Sequence, residues 1–106
     1  MSSGFSRKLF DIVSQIPAGR VSTYKDIAAA SGIRGIRAAG QILASNKRAP
    51  LIPCHRVVLS DGRIGGYSGP GGPSSKKKLL MNEGIKFTGD KLACFSELVL
   101  RADFFE

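Results

Sequence analysis

Glycine and proline cut this chain into short pieces. Pro17-Ala18-Gly19, Gly32, Gly35, Pro50, Pro53, the stretch GGYSGPGGP over residues 65–73 and Gly84 interrupt each run of apolar periodicity before it grows long. Only short helices and strands joined by turns fit between them. The 65–73 stretch holds five of the 13 glycines and two of the five prolines, and reads as a loop with no fold of its own.

Leu9, Ile12, Val13 and Ile16 recur at the period of an amphipathic helix that ends at Pro17-Ala18-Gly19. Thr23-Tyr24-Lys25-Asp26 has the form of a capping box: Thr23 caps a second helix, Asp26 reaches back, and the helix runs to about Ser31 before Gly32. After Gly35 a third helix, about Ile36 to Ser45, carries Ile36, Ala39, Gly40 and Leu43 on one face. Two short helices around a glycine-containing turn read as a helix-turn-helix, a pattern that many helical hairpins share.

Pro50-Leu51-Ile52-Pro53 is apolar but interrupted by proline, so it is an approach segment delivering the chain to Cys54. Val57, Val58 and Leu59 followed by Ser60-Asp61-Gly62 suggest a short strand entering a hairpin turn, with Arg63 and Ile64 on the return. A fourth helix is expected from about Ser74 to Asn82, basic at Lys76, Lys77 and Lys78, and ending at Gly84; Phe95 to Leu100 should pack back on the core. The expected fold is mostly α with a small β-hairpin, one domain over residues 1–106.

Sixteen Lys and Arg against eight Asp and Glu give a formal charge of +8, a field that attracts polyanions before any specific contact forms. Nucleic acid is the leading partner on charge, and a merely soluble basic surface is the alternative. Two cysteines without Cys-x-x-Cys spacing and a single histidine argue against a zinc site, which takes about four such ligands. No metal and no cofactor are expected. The opening MSSGFSRKLF lacks the apolar region of a secretory signal, and no run approaches the roughly 18 apolar residues of a membrane span. The expectation is an intracellular, DNA-associated monomer with no membrane partner and reduced thiols.

Pro53-Cys54-His55-Arg56-Val57 sets a thiol beside the only imidazole and a permanent cation. Nearby positive charge or a base turns a cysteine into a nucleophile. In an extended segment Cys54 and His55 would point to opposite sides, so a water or a local turn would have to connect them.

This stretch, with Ile16-Pro17-Ala18-Gly19-Arg20-Val21, Thr23-Tyr24, Arg37-Ala38-Ala39-Gly40, Asn46, Gly65-Gly66-Tyr67-Ser68, Leu79-Leu80 and Glu83-Gly84, resembles the catalytic domain of the O6-alkylguanine-DNA alkyltransferases from about residue 5 to residue 87. The resemblance implies a winged helix-turn-helix-like domain that repairs double-stranded alkylated DNA by single, irreversible transfer of an alkyl group from O6-alkylguanine, or O4-alkylthymine, to Cys54. It implies His55 as general base acting through water, Glu83 as the carboxylate that orients it, and Tyr24 as the phenol that bonds the flipped guanine and helps neutralise its leaving anion. Arg37 would fill the gap left by the extruded base. Ala38 and Gly40 would let the recognition helix approach the minor groove, with Thr23 and Tyr24 also at the DNA. Asn46 would brace the turn bearing the cysteine, and Val57, Gly65, Tyr67 and Ser68 would line the guanine pocket. Taken singly, Tyr24 could be a helix staple, Asn46 a helix cap and Arg37 a solvated charge.

The chain departs from the family pattern in three places. Phe5 already begins the first catalytic helix, so a minimal version without an N-terminal domain is expected. The loop over residues 68–73 is about two residues longer and richer in glycine, and Ala49 stands where a proline often contacts the alkyl group, so the alkyl range does not follow from the resemblance. Cys94 matches no functional position. Three rivals compete: an alkyltransferase-like protein that binds the lesion without a nucleophile and recruits other repair factors, an alkylation-sensing regulator, and a nonspecific DNA-coating protein. Cys54 argues against the first, and the set Cys54, His55 and Glu83 against the last.

Overall fold

The computed structural model describes residues 4–45, 52–67 and 71–105. Helix α1 (Gly4–Ser14) is followed by strand β1 (Ser22–Thr23), helix α2 (Tyr24–Ser31) and helix α3 (Ile36–Ala44). A 3-10 turn (Cys54–Arg56) leads into β2 (Val57–Val58), α4 (Gly72–Asn82), a hairpin of β3 (Phe87–Thr88) and β4 (Lys91–Leu92), α5 (Phe95–Leu98) and a last 3-10 turn (Ala102–Phe104).

The apolar period near the start is real. Leu9, Ile12, Val13 and Ile16 are all buried, although α1 itself stops at Ser14 and its last turn tightens, with Ile16 N–H donating to Val13 C=O at 3.1 Å. At α2, Thr23 accepts from the Asp26 N–H at 3.0 Å and donates its hydroxyl to the Asp26 carboxylate at 2.6 Å. Gly32 closes the helix in the left-handed region, φ 74°, that a Cβ would disfavour.

Helices α1, α2 and α3 enclose one core, with Ile27, Ala28, Ala39 and Leu43 joined by Cys54, Val57 and Leu100. A second cluster gathers Val21, Val58, Leu80, Ile85 and Leu92. The seam between them is a parallel pairing of β1 with β2, Ser22 beside Val57 and Thr23 beside Val58. Because successive strand residues face opposite sides, Val57 enters the first cluster and Val58 the second.

This pairing corrects the expected hairpin. The turn at Ser60-Asp61-Gly62 does close, Leu59 N–H donating to Arg63 C=O at 2.9 Å, but Arg63 then bridges to Lys91. Val57 and Val58 are covered on both faces, the situation of a parallel strand and not of an exposed hairpin arm. The antiparallel hairpin is β3–β4, Phe87 opposite Leu92.

Three other expectations shift. Helix α4 starts at Gly72, since Pro73 suits a first turn. Ile36 stays on the side of α3 that carries Gly40 and Leu43 but is 47% exposed, whereas Ala39 and Leu43 are buried. Lys76, read with Lys77 and Lys78 only as the basic part of this helix, is fully buried.

The segment after Phe95 packs back as expected and forms a strap. Val21 N–H donates to Leu98 C=O at 3.2 Å, Leu100 N–H to Val21 C=O at 2.7 Å, and the Ser22 hydroxyl to Leu100 C=O at 2.7 Å. Arg101 and the Ala102 N–H, both at 3.2 Å, then hold the carboxylate of Asp26. No described helix is long and apolar enough to cross a membrane.

Candidate active site

Pro53, at φ −80° and ψ 62°, turns the chain so that Cys54, His55 and Arg56 form a 3-10 turn, closed by Arg56 N–H donating to Pro53 C=O at 2.9 Å. The extended conformation considered for this stretch is not adopted. The turn buries Cys54 and His55 together, at 6% and 2% exposure.

Glu83, at the C-terminal cap of α4, meets this turn from the other side. Its Oε2 lies 2.9 Å from His55 Nε2. Arg56 clamps the same carboxylate, Nε at 3.0 and 3.1 Å and Nη2 at 2.7 Å, and anchors itself by donating Nη1 to Ile16 C=O at 2.7 Å. Burial pushes the Glu83 carboxyl up, but hydrogen bonds from Arg56 and His55 outweigh it and hold the group below its ordinary value. Burial pushes the His55 imidazole down, helped by the charges of Arg56 and Lys76 and opposed by Glu83.

These directions agree on a neutral imidazole beside an ionised carboxylate. A carboxylate only accepts, so Nε2 carries the proton, and the Nδ1 lone pair is left free. Nδ1 is buried and has no hydrogen-bond partner among the described residues. A neutral imidazole with one nitrogen pinned and the other available is a general base.

Cys54 opens into a cavity of about 450 Å³ lined by Tyr24, Ile36, Gly40, Leu43, Ala44, Leu59, Gly66 and Tyr67. The walls are apolar, with two phenols as the polar groups, which is the make-up of a small-ligand site. Burial, then the charge of a Cys54 thiolate, pushes Tyr24 up to about 12 and raises Tyr67 in the same order. Both phenols therefore stay protonated and can donate. Tyr24 donates to Gly66 C=O at 3.3 Å.

Lys76 was missed in the sequence as a site residue. Its ammonium donates to Val57 C=O at 2.6 Å and Gly66 C=O at 2.9 Å and lies 5.6 Å from the centre of the Tyr24 ring. It thus ties β2 to the Gly66 stretch of the pocket wall, close to Tyr24. Burial lowers it to about 7, against the pull of a Cys54 thiolate. In sequence it is one of three consecutive lysines, and only the burial of every fourth position on α4, Lys76 and Leu80, marks it.

Gly65 takes φ +75°, and a Cβ there would stand 3.3 Å from Leu59 and 3.4 Å from the Tyr24 ring. Arg37 is exposed on α3, with Ala38 half-buried beside it. Val57 contributes its carbonyl through Lys76, while its side chain is core. Thr23 is not brought to a binding surface: it is fully buried and its hydroxyl serves the α2 cap. Asn46, Ala49 and Ser68 lie outside the described residues. Cys94 is exposed, and among the described residues no group of His, Cys, Asp and Glu could hold a metal ion.

Residues 4–85 match the family model of the DNA-binding domain of 6-O-methylguanine DNA methyltransferase. A methylated-DNA–protein-cysteine methyltransferase of Methanothermobacter thermautotrophicus is 45% identical over 85 residues, 80% of this chain and 47% of that protein. A bifunctional methyltransferase/endonuclease of Thermoplasma volcanium is 39% identical over 94 residues, 88% of this chain and 29% of that one. The chain thus spans less than half the length of these two relatives. Among solved structures, S. pombe Atl1 bound to damaged DNA containing O6-carboxymethylguanine superposes with a TM-score of 0.78 at 30% identity, covering 95% of this chain and 99% of that one. Mycobacterium tuberculosis OGT in complex with DNA gives 0.71 at 32% identity, over 78% and 51%.

Proposed function

Because the chain belongs to the O6-alkylguanine-DNA alkyltransferase family, we propose that it repairs DNA by moving an alkyl group from O6 of guanine, or O4 of thymine, onto Cys54. The observation that carries this reading is the convergence of a thiol and two protonated phenols on one apolar cavity, backed by an imidazole with a free nitrogen.

Cys54 gives its proton to His55 Nδ1, directly or through one water, while Glu83 holds the imidazole by Nε2 and stabilises the charge it gains. The sulfur attacks the alkyl carbon, a C–S bond forms, and the C–O bond breaks. Its electron pair passes into the guanine ring, where the Tyr24 hydroxyl donates to the nitrogen that takes up the charge. A thioether is a poor leaving group, so each molecule acts once. The reacting base must leave the duplex to reach a buried sulfur. Arg37, exposed on α3, fills the gap it leaves, and the small Ala38 and Gly40 admit that helix to the minor groove.

A second reading is lesion binding without transfer, favoured by the end-to-end superposition on Atl1. Incubation with an oligonucleotide containing O6-methylguanine, followed by mass spectrometry, decides between them. The expected result is one methyl mass on the peptide holding Cys54, absent in Cys54→Ala. Binding with no mass gain, or label on Cys94, rejects transfer to Cys54.

A further inference from the structure

We infer that Ile36 is an apolar wedge that enters the DNA minor groove beside Arg37 and helps hold the extruded base out of the stack. A single exposed isoleucine is ordinary on a protein surface, so its exposure of 47% carries little alone. Its position carries more. Ile33 and Ile42, on either side of it in sequence, pack against the core of α1–α3, whereas Ile36 overhangs the cavity that holds Cys54 and Tyr24. It is the first residue of α3, raised on Gly35 at φ +94°, and Arg37 follows it directly. A base moving from the duplex into the cavity passes this lip.

The charge pattern identifies the partner. From Ile27 to Ser60 there is no Asp or Glu, and besides Arg56, which is paired with Glu83, the stretch carries Arg34, Arg37, Lys47 and Arg48. A cationic stretch that presents one large aliphatic group at its helix tip fits a polyanion with an apolar interior, which is a stacked duplex. Ile, Leu and Met side chains inserted at base steps from the minor groove unstack them in this manner. Arg37 then answers the polar edges of the vacated site, and Ile36 the apolar faces of the neighbouring bases.

The inference rests on the proposed base extrusion, and its test separates the two. Single-turnover transfer is measured from O6-methylguanine in a duplex and from free O6-benzylguanine, together with equilibrium binding to the same duplex, for the unaltered chain, Ile36→Ala, Ile36→Ser and Ile36→Leu. The ratio of duplex rate to free-base rate should fall roughly tenfold in Ile36→Ala and Ile36→Ser and stay near its original value in Ile36→Leu. Equal losses on both substrates would make Ile36 only a pocket wall, and unchanged duplex rates with an altered sedimentation coefficient would make it a protein contact; either overturns the inference. If the unaltered chain transfers nothing, the proposed function fails, and weaker duplex binding of Ile36→Ala than of Ile36→Leu still decides for the wedge, equal binding against it.

Discussion

Nε2 of His55 and Oε2 of Glu83 lie 2.9 Å apart, and the guanidinium of Arg56 grips the same carboxylate at 2.7 to 3.1 Å. One acid therefore serves two bases that are neighbours in sequence. Arg56 supplies the full positive charge, which keeps Glu83 ionised without requiring the imidazole to be protonated. His55 is left neutral, oriented and able to receive a proton.

Glu83→Gln keeps the size and removes the charge. His55, already held low by burial, keeps an acceptor for its Nε2–H but loses the negative charge that raises its pKa, and becomes a weaker base. An unperturbed thiol near about 8.5 is only a few per cent thiolate at neutral pH, so the single-turnover rate should fall there and its profile move to higher pH. Arg56 also loses its partner, and unfolding by denaturant should show a loss of about 1–3 kcal/mol. Superimposable rate profiles, with only the stability changed, would reduce Glu83 to a structural role.

Lys76 makes stability rise with pH. Burial holds its ammonium at about 7 in the fold against an ordinary 10.5. Between those values the unfolded chain binds the extra proton, so the cost of burying the charge is fully present below pH 7 and is relieved as pH climbs toward 10.5. Lys76→Met removes that dependence while stranding the carbonyls of Val57 and Gly66, at a cost of about 1–3 kcal/mol. Denaturant unfolding at pH 7 and pH 9 should show the unaltered chain gaining relative to the variant; parallel changes in both would contradict the low value.

Two glycines, Gly40 lining the cavity and Gly65 behind its Leu59 and Tyr24 walls, should respond in opposite ways. At Gly65 the left-handed φ strains any residue with a Cβ, which would also press on Leu59 at 3.3 Å and touch Tyr24 at 3.4 Å, so Gly65→Ala should lower the melting temperature and slow transfer from duplex and free base alike. At Gly40 a Cβ meets nothing within 4 Å, and Gly40→Ala should stabilise α3 by up to about 1 kcal/mol. Its duplex affinity should nonetheless fall, because the added methyl stands where the groove approaches. Unchanged affinity would remove close approach as the reason for a glycine there.

Arg37→Ala should lose far more in duplex repair than in reaction with free O6-benzylguanine, since only the duplex must be opened. If Arg37 lies in the opened stack and meets no phosphate, the salt dependence of binding should stay the same, whereas a phosphate contact would lower the slope by about one. Equal losses on both substrates would show that Arg37 does not support extrusion.

The site was legible where its chemistry is written in neighbouring residues. Cys54, His55 and Arg56 sit in one motif, and the capping box announced both Thr23 and the start of α2. The pairing of Arg56 with Glu83 was not, because the chain shows charges but not which of them meet. Lys76 was hidden by Lys77 and Lys78: a lysine is almost never fully buried, so a run of three reads as solvated. The strand at Val57 and Val58 was expected, but its pairing was not, because the two residues of β1 carry no period and lie more than 30 positions away. The strap was expected only as apolar packing, since hydrogen bonds to Val21 and Asp26 leave no trace in residue type.

That strap also sets an order of events during synthesis. Val21, Ser22 and Asp26 leave the ribosome early, yet the groups that complete them are Leu98, Leu100, Arg101 and Ala102. Contacts so distant in sequence close late. The helix that presents Tyr24 therefore gains its last restraints only after nearly every described residue has been made.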